Sequence, residues 1–183
     1  KPTQEGLFQH FKLIAENVSI DQILYNVPGR TAVDMSVDTT SRLSEISNII
    51  GIKDATGDLS VIKELVAKCP EDFLLLTGDD ATAIDFLLLG GHGGISVTAN
   101  VTPKELQKAY LAAIAGNAEL AKKLNEELSG LHKNLFIESN PIPVKWALHK
   151  MGWCDSGIRL PLLELSNECK SVVENDLKEL DLL

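Results

Sequence analysis

The sequence predicts an α/β protein with a parallel sheet built from βα units and a purely helical last third. Three observations carry this. Four short strand-like runs, Gln22–Tyr25, Ile49–Ile52, Phe73–Leu76 and Ile95–Val97, are each closed by turn-forming or polar residues. They do not alternate apolar with polar, which is how strands buried on both faces of a parallel sheet read. Between them lie segments whose apolar residues recur at helical spacing, the pattern of helices packed outside such a sheet.

In chain order, Leu7, Phe8, Phe11, Ile14 and Ala15 mark a first helix. Gln22–Tyr25 is ended by Asn26-Val27-Pro28-Gly29-Arg30, where Pro28 and Gly29 impose a turn. A helix is predicted from Ser36 to Glu45. The strand through Ile49, Ile50 and Ile52 ends at Lys53, and Asp54 to Asp58 lead into a helix with Val61, Ile62, Leu65, Val66 and Cys69 on one face. Phe73–Leu76 is closed by Thr77-Gly78-Asp79-Asp80, and a helix from Ala81 to Leu89 leads through Gly90–Gly94 to Ile95–Val97. Thr102-Pro103-Lys104-Glu105 reads as a capping box with proline at the first helical position. Leu120, Leu124, Leu128, Leu131 and Leu135 form one stripe, expected in the core or at a subunit interface. Asn140-Pro141-Ile142-Pro143 breaks the chain and opens a helix to about Lys150; Leu165, Cys169, Val172, Val173, Leu177 and Leu180 line a last one.

With 183 residues, 44% of them hydrophobic and 23% charged, the chain has the profile of a globular domain with a real core rather than of a disordered one. A net charge of −9 argues against nucleic acid or an anionic membrane as partner. An anionic substrate would therefore need local cations. Cys69, Cys154 and Cys169 lie in no metal spacing and cannot all pair, which favours a reducing, cytoplasmic location; both Cys69 and Cys169 are expected to be buried. The sequence shows no signal peptide and no apolar run long enough to span a bilayer.

The residues that stand out chemically all follow a strand: Tyr25 with Asn26, Lys53, Gly78 with Asp79, and Ser96 to Asn100. In parallel α/β folds the carboxyl ends of the strands make one face, where sites are built. Lysine is rarely buried, so one at the end of a buried strand needs a reason. It reaches solvent or pairs with Asp54, or it faces a closed pocket, sheds its proton and acts as an amine nucleophile. Neighbouring strands lie about 4.8 Å apart, so Tyr25 and Lys53 can meet. An amine and a phenol within reach suit carbonyl chemistry, the amine condensing with a ketone while the phenol shuttles protons. Tyr25 could equally bond a loop, and Arg30 could pair with Asp34. Asp79 and Asp80 lack further ligands and suit helix capping better than metal. The glycines at 90–94 lack the Lys-Ser/Thr of a phosphate cradle, and the four histidines are scattered, so no metal site is expected.

Tyr25-Asn26-Val27-Pro28-Gly29-Arg30-Thr31, Gly51-Ile52-Lys53-Asp54-Ala55-Thr56-Gly57-Asp58, Gly78-Asp79-Asp80, Gly90-Gly91-His92-Gly93 and Ile95-Ser96-Val97-Thr98-Ala99-Asn100 resemble, in order and spacing, the dihydrodipicolinate synthase family of the class I pyruvate-dependent aldolases. Asn140-Pro141-Ile142-Pro143-Val144-Lys145 and Arg159-Leu160-Pro161 extend the resemblance. It implies the C-terminal half of a (β/α)₈ TIM barrel over residues 1–116 and a helical C-terminal extension over 117–183. It implies a lyase of lysine (diaminopimelate) biosynthesis that condenses pyruvate with L-aspartate 4-semialdehyde and needs no cofactor beyond a covalent imine at Lys53. By position, Tyr25 resembles the family's proton-relay tyrosine and Arg30 the residue that holds substrate carboxylate. Gly78, the Ile95 carbonyl and Asn100 resemble substrate-binding groups. The family assembles as a homotetramer.

The chain resembles only the second part of the family chain, with four strands where the barrel needs eight. The family's threonine pair that orients pyruvate, its tyrosine that reaches into the neighbouring subunit, and most of its lysine feedback site have no counterpart here. Gly94 stands where the family more often has a larger residue. The expectation is a truncated form with impaired activity. The alternatives are an N-acetylneuraminate lyase of the same superfamily, which usually carries an uncharged residue where Arg30 sits, a 2-keto-3-deoxy acid lyase, and a non-catalytic barrel fragment.

Overall fold

Strands β1 (Gln22–Asn26), β2 (Ile49–Asp54), β3 (Leu74–Thr77) and β4 (Gly93–Gly94) lie side by side in chain order, all parallel. The computed structural model describes residues 1–183, and this sheet belongs to the first of its two compact units, Lys1–Ile95. The helices of this unit are α1 (Gln4–Asn17), the single turn α2 (Pro28–Thr31), α3 (Val37–Ser44), α4 (Leu59–Lys68) and α5 (Ala83–Leu88). Their starts follow from capping side chains. Thr3, Ser36 and Asp58 each accept a backbone N–H, from Gly6, Thr39 and Ser60, satisfying donors that a helix start leaves open.

The core packs the helices onto one sheet face: Leu24, Ile49, Ile52 and Leu75 from the strands meet Leu43, Ile62, Leu65 and Phe86. The other face is open. Ile23 and Tyr25 on β1 are 43% and 46% exposed while Leu24 and Asn26 between them are buried. Burial on both faces, the reading of the four runs, is thus corrected for β1, which alternates in burial although its residues do not alternate in polarity; in β2, Gly51 and Ile52 are both buried.

The fourth strand is also displaced from Ile95–Val97. The ladder pairs Leu76 with Gly93 and Thr77 with Gly94, and the Ile95 amide adds one further bond to the Thr77 carbonyl, 2.9 Å. Hydrogen-bond register, which glycine serves as well as valine, decides the pairing rather than β-branched preference. His92 supports it: its amide donates to the Leu75 carbonyl (2.8 Å) and its Nδ1 accepts from the Leu75 amide (3.0 Å).

The second unit, Ser96–Leu183, is all helical. A 3₁₀ turn, Thr98–Asn100, precedes α6 (Pro103–Ile114), α7 (Ala118–Glu126), α8 (Ser129–Asn134), α9 (Ile142–Lys150) and α10 (Asn167–Glu179). Its core joins Val101, Leu131, Leu135, Val144, Ala147, Leu165, Val173 and Leu177. The leucine stripe is not one helix. It crosses the break between α7 and α8, where Leu128, Leu131 and Leu135 are buried but Leu120 is exposed. Pro103 does open α6, but the capping box is not made: the Thr102 side chain makes no cap bond, and its buried hydroxyl has no partner. Gly116, where the sequence reading ends the barrel half, lies between α6 and α7 at φ 77°. Cys69 and Cys169 are half-buried rather than buried, and Cys154 is exposed. No helix is long and apolar enough to cross a membrane.

Candidate active site

The carboxyl ends of β1 and β2 are in register, Tyr25 beside Lys53 and Asn26 beside Asp54. Side chains alternate along a strand, so Tyr25 and Lys53 share one face and Asn26 and Asp54 the other. On the open face Lys53 Nζ stands over the Tyr25 ring, 4.1 Å from its centroid, where the negative face of the ring attracts an ammonium. Lys53 is half-buried. Its pairing with Asp54, one reading of the sequence, does not occur, because alternation turns the carboxylate to the covered side.

Gly78 shapes the lysine. A Cβ built on it would fall 2.6 Å from Lys53 Cε, 2.9 Å from Ala55 Cβ and 3.2 Å from Lys53 Cγ. Its amide donates to the Asp54 carbonyl at 2.6 Å. The loop after β3 therefore lies flat against the aliphatic stem of Lys53, and only glycine permits that approach. Ile95, 48% exposed, closes the first unit beyond β4. Arg30 is exposed on α2, which ends where Ala32 takes the left-handed conformation at φ 55°.

Asn100 belongs to the second unit. Its side-chain amide donates to the carbonyls of Ser96 (3.4 Å) and Val97 (3.0 Å), holding the 3₁₀ turn. Asp79 accepts from the Thr82 amide and hydroxyl, at 3.0 and 2.7 Å, just ahead of α5. A cavity of about 450 Å³ lies between α1 and the end of β1, lined by Leu7, His10, Phe11, Tyr25, Val27 and Val33 among others. Tyr25 forms part of its wall; Lys53 does not.

Asn26, singled out in the sequence beside Tyr25, and Asp54, one expected partner of Lys53, occupy the covered face. Asn26 and Asp54 are 3% and 4% exposed. The Asn26 amide donates to Asp54 Oδ2 (3.0 Å) and Asp34 Oδ1 (2.8 Å), and its Oδ1 accepts from the Met35 amide (3.0 Å). Asp54 Oδ1 accepts from the Thr56 amide at 3.0 Å and from the Thr56 hydroxyl. The signal in the sequence is a pair of doublets, Tyr25-Asn26 and Lys53-Asp54, each ending a strand with two polar residues in succession.

A model of the dihydrodipicolinate synthetase family matches residues 1–180. The 4-hydroxy-tetrahydrodipicolinate synthase of Ruthia magnifica subsp. Calyptogena magnifica is 62% identical over 183 residues, which are 100% of this chain and 62% of that protein. The chloride-inhibited dihydrodipicolinate synthase of Acinetobacter baumannii, solved in complex with pyruvate, superposes with a TM-score of 0.97 at 53% identity, over 100% of this chain and 63% of that one. A structure described as the first monomeric dihydrodipicolinate synthase variant gives 0.96 at 40% identity, over 100% and 62%. The chain thus spans about 62% of the length of the relatives it matches. Its four strands are the C-terminal half of a (β/α)₈ barrel, and a helical extension follows.

Proposed function

The chain belongs to the dihydrodipicolinate synthetase family, and on that premise we propose that it carries the imine-forming centre of a 4-hydroxy-tetrahydrodipicolinate synthase, which condenses pyruvate with L-aspartate 4-semialdehyde. The observation that supports this most is the placing of the Lys53 amine over the Tyr25 ring at adjacent strand ends. The neutral amine adds to the ketone carbon of pyruvate, giving a carbinolamine. Tyr25 gives a proton to the departing hydroxyl, water leaves, and the C=N bond of the imine forms. Tyr25, left as the phenolate, takes a methyl proton to give an enamine, whose carbon attacks the aldehyde of the semialdehyde while Tyr25 returns the proton to the aldehyde oxygen.

The remaining roles follow the resemblance. Arg30 holds the carboxylate of the semialdehyde through a charge-assisted hydrogen bond, and it supplies the local cation that a chain of net charge −9 needs there. Gly78 and the Ile95 carbonyl line the substrate site, and the resemblance gives Asn100 a substrate-binding role. The working form is a homo-oligomer in the cytoplasm, consistent with three cysteines in no disulfide.

The test is turnover by the complete natural polypeptide. Product formation from pyruvate and L-aspartate 4-semialdehyde is expected. Cleavage of N-acetylneuraminate or a 2-keto-3-deoxy acid, with the semialdehyde untouched, would replace the synthase by a lyase of the same superfamily.

A further inference from the structure

We propose that Asn26 and Asp54 are positioning residues: a buried hydrogen-bonded lock on the covered face of the sheet that aims Tyr25 and Lys53 on the open face and holds the turn bearing Arg30. The proposal rests on the reading of Lys53 as the imine-forming residue. Each lock residue directly follows a reacting one, and the two strands are in register at both positions. A planar peptide joins Tyr25 to Asn26 and Lys53 to Asp54. Fixing the second residue of each pair therefore fixes the direction in which the first projects.

Every polar atom of the Asn26 side chain is engaged. Both donors go to carboxylates, on Asp54 and Asp34, and the acceptor takes the Met35 amide. The segment from Val27 to Asp34, which carries Arg30, thus leaves from Asn26 and is tied back to it. From the far side Gln4 on α1 holds the same segment, donating to the Asp34 carbonyl (2.8 Å) and accepting from the Ser36 amide (3.0 Å). The backbone continues the clamp: the Ala55 amide donates to the Asn26 carbonyl at 2.9 Å, and the Gly78 amide to the Asp54 carbonyl. Apolar side chains at 26 and 54 would fill the space without direction, whereas hydrogen bonds weaken steeply once bent. What a polar pair adds at this place is aim.

The test uses the complete natural polypeptide and the variants Asn26→Asp, Asp54→Asn, the exchange N26D/D54N, and Asn26→Leu. Active sites are counted by borohydride trapping of pyruvate on Lys53, so that loss of folded protein is not read as loss of rate. Each single exchange is expected to lower kcat per trapped site roughly 10²-fold, the scale of a misplacement near 1 Å, with the KM for pyruvate changed far less. The double exchange should recover most of that loss: Asn at 54 again donates to the carboxylate at 26, and exposed Asp34 turns to solvent. In a crystal structure of Asn26→Leu, Lys53 Nζ should leave the Tyr25 ring face. Unchanged kcat per trapped site in the single variants overturns the lock, as does an Asn26→Leu structure that keeps the 4.1 Å contact. If the unmodified protein traps no pyruvate at Lys53, the functional reading fails, and the crystal structure alone still decides the lock.

Discussion

Lys53 Nζ lies above the ring of Tyr25, 4.1 Å from the centroid, so a variant can separate the ring face that seats the amine from the hydroxyl proposed to carry protons. Tyr25→Phe keeps the first and removes the second. Turnover should fall by about 10²–10⁴-fold, the range of general acid–base catalysis, while pyruvate can still be trapped on Lys53. Tyr25→Leu should lose both. Measured side by side, equal turnover in Tyr25→Phe and the parent protein would remove the hydroxyl from the mechanism.

Gly78→Ala tests the fit of the lysine stem. The new methyl would sit 2.6 Å from Lys53 Cε and 2.9 Å from Ala55 Cβ, a separation real side chains do not sustain. Overpacking of this kind costs roughly 1–3 kcal/mol, and the flexible lysine will yield before the backbone does. Pyruvate trapping should slow more than the urea midpoint falls. A variant that traps pyruvate at the parent rate would show that Gly78 does not shape Lys53.

Arg30→Ala should act on one substrate only. Loss of a charge-assisted hydrogen bond is worth about 1.5–3 kcal/mol. The KM for the semialdehyde should rise accordingly, with the rate of imine formation from pyruvate unchanged. Parallel changes for both substrates would place Arg30 elsewhere in the reaction.

The second unit offers a pH test of stability. Burial raises the Asp176 carboxyl above its ordinary range, offset by the hydrogen bond from Asn134 and reinforced by Glu179. A carboxyl whose folded value is raised favours the folded state while protonated and loses that advantage as pH rises through the folded value. At neutral pH its charge is therefore a burden. Asp176→Asn should raise Tm at pH 7, and the difference should shrink as pH falls below the ordinary carboxylate range. A variant less stable than the parent at pH 7 would show that the carboxylate is favoured where it lies.

Much of this was legible in the sequence, and the limits are physical. Lys53 and Tyr25 announce themselves because each ends an apolar run, and strand ends share a face in parallel sheets. Asn26 and Asp54 carry the same signal, but their bond depends on cross-strand register, which local pattern does not contain. Side-chain preference puts the fourth strand at Ile95–Val97, whereas Gly93 and Gly94 pair through backbone alone. The stripe from Leu120 to Leu135 keeps helical spacing across a break, so periodicity alone does not show that α7 ends at Glu126. The open face at Ile23 and Tyr25 follows from strand count: four strands of a barrel that needs eight leave the side chains of the inner face without half their packing partners.

The central claim is that Lys53 is the amine that condenses with pyruvate. Pyruvate and borohydride added together to the complete natural polypeptide, followed by proteolysis and mass measurement, test it directly. Condensation releases water and borohydride reduces the C=N bond, so the peptide containing Lys53 should gain the mass of pyruvic acid less one oxygen atom, and Lys53→Ala should gain nothing. Labelling of another lysine while Lys53 stays unmodified would contradict the account.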